Sequence, residues 1–186
     1  MSDVTNYIAG ALTATFAGIF SVWFKQHLDL NGEKLRNRKL IYQQLMGMRS
    51  TMQQLEASRA EAEVQSYYHE ALLQRGLGDR ATELQEAKEK QNLSIEFGQR
   101  LVLEKRRLYE VIANTALSFK GKEIQAAIDK LYGIGHIQIN AYSGDQTPES
   151  LREIYVKSLA EVHKTAQTKW REPIDALLSL VKSQLN

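Results

Sequence analysis

The chain reads as an all-α protein, with an N-terminal transmembrane helix followed by an antiparallel helical bundle or hairpin of about four helices. Three observations predict this. Residues 4–24 carry no charged side chain. Beyond them, apolar residues recur at helical spacing over long stretches. Only two prolines and 11 glycines interrupt 186 residues, too few for a sheet protein built on many tight turns. The 25% charged and 43% hydrophobic content belongs to a folded chain and excludes wholesale disorder. With no cysteine, disulfides, thiolate metal sites, iron–sulfur clusters and a cysteine nucleophile are excluded together.

The uncharged run, VTNYIAGALTATFAGIFSVWF, would reach about 31 Å as a helix, close to the thickness of a bilayer's hydrocarbon core. Tyr7 stands near one end and Trp23 and Phe24 at the other, as an aromatic belt would place them. Its few polar side chains, Thr5, Asn6, Thr13, Thr15 and Ser21, are mostly hydroxyls that can bond back to the preceding turn. A cleaved signal peptide is a second reading, but it wants a basic leading region, and only Asp3 is charged there. A buried or peripheral helix is a third, since three threonines and two glycines make the run only moderately hydrophobic. Residues 1–24 are therefore expected to be the anchor.

Residues 25–39, KQHLDLNGEKLRNRK, form a basic juxtamembrane segment in which Lys25, Lys34, Arg36, Arg38 and Lys39 outnumber Asp29 and Glu33. Residues 40–186 balance, 19 basic against 19 acidic, so the whole net charge of +2 comes from the N-terminal part. The positive-inside rule then places the C-terminal domain in the cytoplasm and the N-terminus outside. These bases would also be drawn to anionic headgroups, by about 1 kcal/mol each when close to the surface. Diluted by acids, they do not read as a nucleic-acid stripe. Within the run, Gly10, Ala14 and Gly18 recur every fourth residue and leave one face nearly bare, suited to close helix pairing.

A short irregularity is expected at Asn31-Gly32. Ile41, Leu45, Met48, Met52 and Leu55 then follow 4-3-4-3 spacing, a coiled-coil-like seam of about two heptads that weakens at Arg59 and Ala62. Arg75-Gly76-Leu77-Gly78-Asp79 supplies a helix stop and a new N-cap, which predicts a helical hairpin. The second helix should cover about 79–119, its packing firmer toward Leu101 and Phe119 than in the thinly apolar ELQEAKEKQN. Lys120-Gly121-Lys122 is the next break, and a short helix over 123–132 presents Ile124, Ile128 and Leu131 together.

Helical character is lost in the loop 133–147. Ile137, Ile139 and Ala141 alternate with Gln138 and Asn140, the pattern of an extended segment, although no partner strand is evident. Thr147 as N-cap with Pro148 behind it is the strongest helix start in the chain. The last helix should run over about 148–184, with Pro173 disturbing it near Trp170.

The uncharged run followed by KLRNRKLIYQQL resembles a loose group of small bacterial proteins with a single-pass N-terminal anchor. In these, a basic helix-forming stretch leads into a cytoplasmic helical bundle. The likeness covers residues 4–45 and implies an anchored helical domain. It implies no activity and carries over no functional residues.

The sequence offers few chemical constellations. His27, His69, His136 and His163 are far apart and none stands in metalloprotease spacing. Glycines at 133 and 135 lack the Lys-Ser/Thr of a phosphate loop, and Ser143-Gly144-Asp145 lacks the strand–turn–helix setting of a nucleophile elbow. Glu56, Glu63 and Glu70, seven apart, read as a solvated acidic face, because no Glu-x-x-His accompanies them as in metal carboxylate bundles. No cofactor, metal or small-molecule substrate is indicated. The leading expectation is a non-enzymatic interaction protein, anchored in the membrane and binding itself or a protein partner. The alternative is a membrane-perturbing oligomer, of toxin, defence or phage lysis type, assembled through Gly10, Ala14 and Gly18. An enzyme would require His136 and Asp145 to converge with a helix carboxylate around a pocket.

Overall fold

A computed structural model describes side chains for residues 25–26, 28–142 and 147–185, and for 2–24 and 27 only that they belong to a helix. The described residues are all helix and loop. In order they are α1 (Ser2–Gln74), α2 (Arg80–Ser118), α3 (Lys122–Tyr132), α4 (Pro148–Ala166), a π-helical turn (Gln167–Arg171) and α5 (Glu172–Ser183). The chain divides into two units, Met1–Leu40 and Ile41–Asn186. Among the described residues no helix is long and apolar enough to cross a membrane. The anchor expected at residues 1–24, with Gly10, Ala14 and Gly18, lies outside the described residues.

In the first unit, the irregularity expected at Asn31-Gly32 does not form, and helix continues through both residues. A helical glycine costs about 1 kcal/mol relative to alanine, too little to stop a helix once it is propagating through good helix formers.

The second unit is a helical bundle. The turn between α1 and α2 follows from its glycines. Gly76 takes φ +67°, so its N–H reaches Leu73 O at 3.1 Å and the Leu77 N–H reaches Leu72 O at 2.9 Å, closing the last carbonyls of α1. Gly78 is again left-handed, at φ +81°, and Asp79 caps α2 by accepting the Thr82 N–H at 2.9 Å. That bond holds the Asp79 carboxyl below its usual range. The two helices run antiparallel, as three contacts at widening separation require. His69 Nδ1 lies 2.7 Å from Glu83, the Ser66 hydroxyl donates to Ala87 O at 3.0 Å, and Gly98 packs against the Arg59 side chain.

The main core gathers Ile41, Leu45, Met48 and Met52 from α1 with Leu101, Leu108 and Ile112 from α2. Ile124, Ile128 and Leu131 of α3, then Trp170 and Ile174, Leu177 and Val181 of α5, complete it, and Leu55 packs at its edge. The predicted seam thus lies inside the fold of one chain. Firm packing on α2 is confined to its second half: between Ala87 and Leu101 no α2 residue is buried. A smaller core combines Ala57, Ala60 and Val64 of α1 with Val162 and Ala166 of α4 and with Ile137 from the loop. The apolar face of α1 therefore does not end at Arg59; it changes to small residues that let other segments come close.

Thr147 caps α4 by accepting the Ser150 N–H at 3.3 Å, with Pro148 in the first turn. The disturbance expected from Pro173 takes the form of the π turn just before it. Proline has no N–H for the carbonyl four residues back, and the chain widens there, the Glu172 N–H bonding five residues back to Gln167 O.

Candidate functional site

The least regular part of the bundle is also its most heavily bonded loop. Residues 133–142 form neither helix nor strand, so their backbone groups need partners elsewhere. Four successive carbonyls find cations on three different helical segments. Lys105 of α2 donates to Ile134 O at 2.5 Å, and Lys169 of the π turn to Gly135 O at 3.5 Å and His136 O at 2.9 Å. Arg59 of α1 donates to Ile137 O at 2.5 Å. The extended segment read from the sequence has no partner strand here; side chains take that place.

Glu56 is the centre of this arrangement. Its side chain is fully enclosed, at 0% exposure. Glu56 Oε1 accepts the Ile137 N–H at 2.6 Å and Arg59 Nη2 at 3.1 Å, and Oε2 lies 3.3 Å from His136 Nδ1. Arg59 also reaches Glu63 at 2.6 Å, so one guanidinium joins two carboxylates and a loop carbonyl. A carboxylate taken out of water costs several kcal/mol unless charge and hydrogen bonds replace its hydration, and here they do. This corrects the solvated acidic face expected of Glu56, Glu63 and Glu70. Glu56 is buried because the loop 80 residues downstream folds over it, and Glu63 and Glu70 are half-buried.

The loop has a groove on either side. One, of about 470 Å³, lies against α4 and is lined by Val64, Ile139, Asn140, Ser158, Thr165 and Lys169. The other, of about 660 Å³, lies against α1 and α2 and is lined by Glu63, Ile95, Gly98, Val102, Gln138 and Asn140. Ile95 and Val102 are more than half exposed. At the α4 end, Tyr68 stacks on Tyr155 at 4.3 Å with Tyr142 edge-on at 6.4 Å. Burial pushes the Tyr142 and Tyr155 hydroxyls above the ordinary phenol range. Chemically, the grooves offer amide and hydroxyl hydrogen bonding beside apolar walls. The Glu56 carboxylate is spent on the loop itself.

Of the residues singled out from sequence, His136 does meet a helix carboxylate, Glu56, while Asp145 lies outside the described residues. Ile41, Leu45, Met48 and Met52 are buried in the main core. Lys25, Lys34, Arg36 and Lys39 are exposed and Arg38 is half-buried. Among the described residues no three His, Asp or Glu side chains gather as metal ligands. Sequence reasoning missed the Glu56–Arg59–Ile137 centre. Its only signal was an Arg three residues after a Glu beside a seam turning to alanine, which surface helices display as well. No protein-family model matches the chain, and no match is found among curated proteins or solved structures.

Proposed function

We propose that this is a non-enzymatic, membrane-anchored interaction protein, a single-pass helix holding a cytoplasmic helical bundle at the inner membrane face. One observation carries the reading: 21 uncharged residues at 4–24 are followed at once by a segment with five bases against two acids. The bundle supports it by its construction. Its enclosed carboxylate is committed to fixing a loop, and that loop presents amide and apolar side chains along two open grooves. Such a surface suits binding a protein segment, itself or another, which the anchor would restrict to the membrane.

Fractionation tests this. The full-length chain is expected in the membrane pellet after an alkaline carbonate wash, and deletion of residues 1–24 should release it. A full-length chain that stays soluble, with the deletion changing nothing, would refute the proposal. The four-residue spacing of Gly10, Ala14 and Gly18 favours a second reading, a membrane-perturbing oligomer. Replacing Gly10 and Gly18 with leucine should abolish cross-linked oligomers and cell toxicity under that reading, and leave both unchanged under the first.

A further inference from the structure

The loop that Glu56 fixes is bonded unevenly. Each carbonyl from Ile134 to Ile137 has a cation, whereas the main-chain N–H and C=O groups of Gln138, Ile139 and Asn140 make no hydrogen bond to any described residue. The bonds that do form show the course of the chain. In an extended chain the N–H and C=O of one residue point to the same side, and those of the next residue to the other. The Ile137 N–H goes to Glu56 and its C=O to Arg59, both on α1, while the preceding His136 C=O goes to Lys169, which lines the α4 groove. Side-chain burial follows the same alternation. Ile137 is buried and Ile139 half-buried against the smaller core, with Gln138 and Asn140 exposed. Continued along the chain, this pattern turns both main-chain groups of Gln138 and of Asn140 toward the α4 groove of about 470 Å³.

We propose that this edge binds an extended segment of a different protein by strand addition. The segment's main chain would pair with Gln138 and Asn140, and its alternate side chains, apolar and uncharged, would face Val64, Ile154 and Val162 in the groove. Hydrogen bonding selects this occupant, because open donors and acceptors repeating every second residue are matched by another extended main chain. The α1 side offers less, since Glu56 and Arg59 already take the pairing position of Ile137 and leave only Ile139. The edge is also set before anything binds. Cations and Glu56 hold it on one side and Tyr142, edge-on to Tyr68, on the other, so little ordering remains to oppose binding. A second copy fits poorly, because its own segment is bounded by α4 in the same way and the two walls would meet before the edges. The inference rests on the interaction half of the proposed function, independently of the anchor, and names the partner's chemistry.

The test uses the whole chain in mild detergent and random heptapeptides selected against it by display. Selected peptides, made synthetically, should slow amide hydrogen exchange at Gln138 and Asn140 and leave Ile139 unchanged. Asn140→Pro removes a pairing N–H that no bond within the chain uses, and proline also favours extended chain before it. It should weaken binding at least about tenfold while amides near Leu108 stay as protected as in wild type. Asn140→Ala keeps the main chain and should bind as wild type does. Methylation of single peptide nitrogens should weaken binding at every second position. A selection that yields no binder, peptides that protect neither Gln138 nor Asn140, or equal weakening by Asn140→Ala and Asn140→Pro overturns the proposal. So does self-association without peptide that Asn140→Pro abolishes, which would assign the edge to a second copy. A full-length chain that stays soluble in the fractionation would remove the anchor and leave these outcomes readable, so the two readings fail separately.

Discussion

The main core, with Trp170 enclosed in it, is filled by large side chains, leucines, isoleucines and methionines of four helices. Around Ala60 the interior is made of alanine, valine and a loop isoleucine, with the carboxylate of Glu56 enclosed beside them. The first region is held by volume, through dispersion and the removal of apolar area from water. In the second, small side chains bring backbone close to backbone, and directed hydrogen bonds to a loop take over. A region built in the second way tolerates little change of charge or size, yet it can carry an irregular segment and the grooves beside it.

Truncation of the indole should have the largest effect. Trp170→Ala is expected to destabilise by about 4 kcal/mol in denaturant unfolding, because the indole is enclosed and its Nε1–H has no hydrogen-bond partner to lose. A loss under about 1 kcal/mol would mean that this region is not held by volume. Next comes Glu56→Ala, expected at about 3 kcal/mol, since it leaves the Ile137 N–H without its acceptor in an enclosed site and takes from Arg59 one of its two carboxylates. Glu56→Gln keeps one acceptor oxygen and should cost less, about 1–2 kcal/mol. If the two substitutions cost the same, charge rather than the loop bond is what Glu56 supplies.

The legible parts of this fold were those whose cause lies within a few residues. The Gly76–Asp79 turn, the Asp79 and Thr147 caps and Pro148 each announce a helix end by their own backbone chemistry. The 4-3-4-3 spacing of Ile41 to Met52 announced a buried face. Gly32 misled because a glycine's modest cost was read as a local irregularity, whereas the helix around it carries the residue along. Glu56 was illegible for the opposite reason. Nothing near it in sequence distinguishes it from Glu63 or Glu70, and its burial is decided by a loop that the chain supplies 80 residues later. Likewise the seam looked to weaken at Arg59 and Ala62, because small residues such as Ala57 and Ala60 mark close approach only when the approaching segment is known.

Overfilling the small-residue region gives a smaller effect. Ala60→Leu should cost about 1–3 kcal/mol and, more tellingly, loosen the loop. Hydrogen exchange at the Ile137 amide would rise while amides near Leu108 stay protected. Equal loss of protection at both sites would argue against two separately closed regions. The smallest expected effect is alkaline. Burial raises the Tyr142 and Tyr155 hydroxyls above their ordinary value of 10.0. The folded state therefore keeps protons that the unfolded chain releases. Their contribution is complete below pH 10 and is lost as pH rises through the folded values. Tyr142→Phe with Tyr155→Phe should flatten that limb of the stability profile, and an unchanged limb would place its origin elsewhere.

The absence of cysteine makes the central claim directly measurable. Single cysteines placed by Ser2→Cys and Lys182→Cys can be probed in intact cells with outer membranes permeabilised, using a maleimide that cannot cross the inner membrane. An anchored helix with a cytoplasmic bundle predicts labelling at position 2 before lysis and at position 182 only after it. Protection of both positions until lysis, or labelling of both before it, would contradict the account.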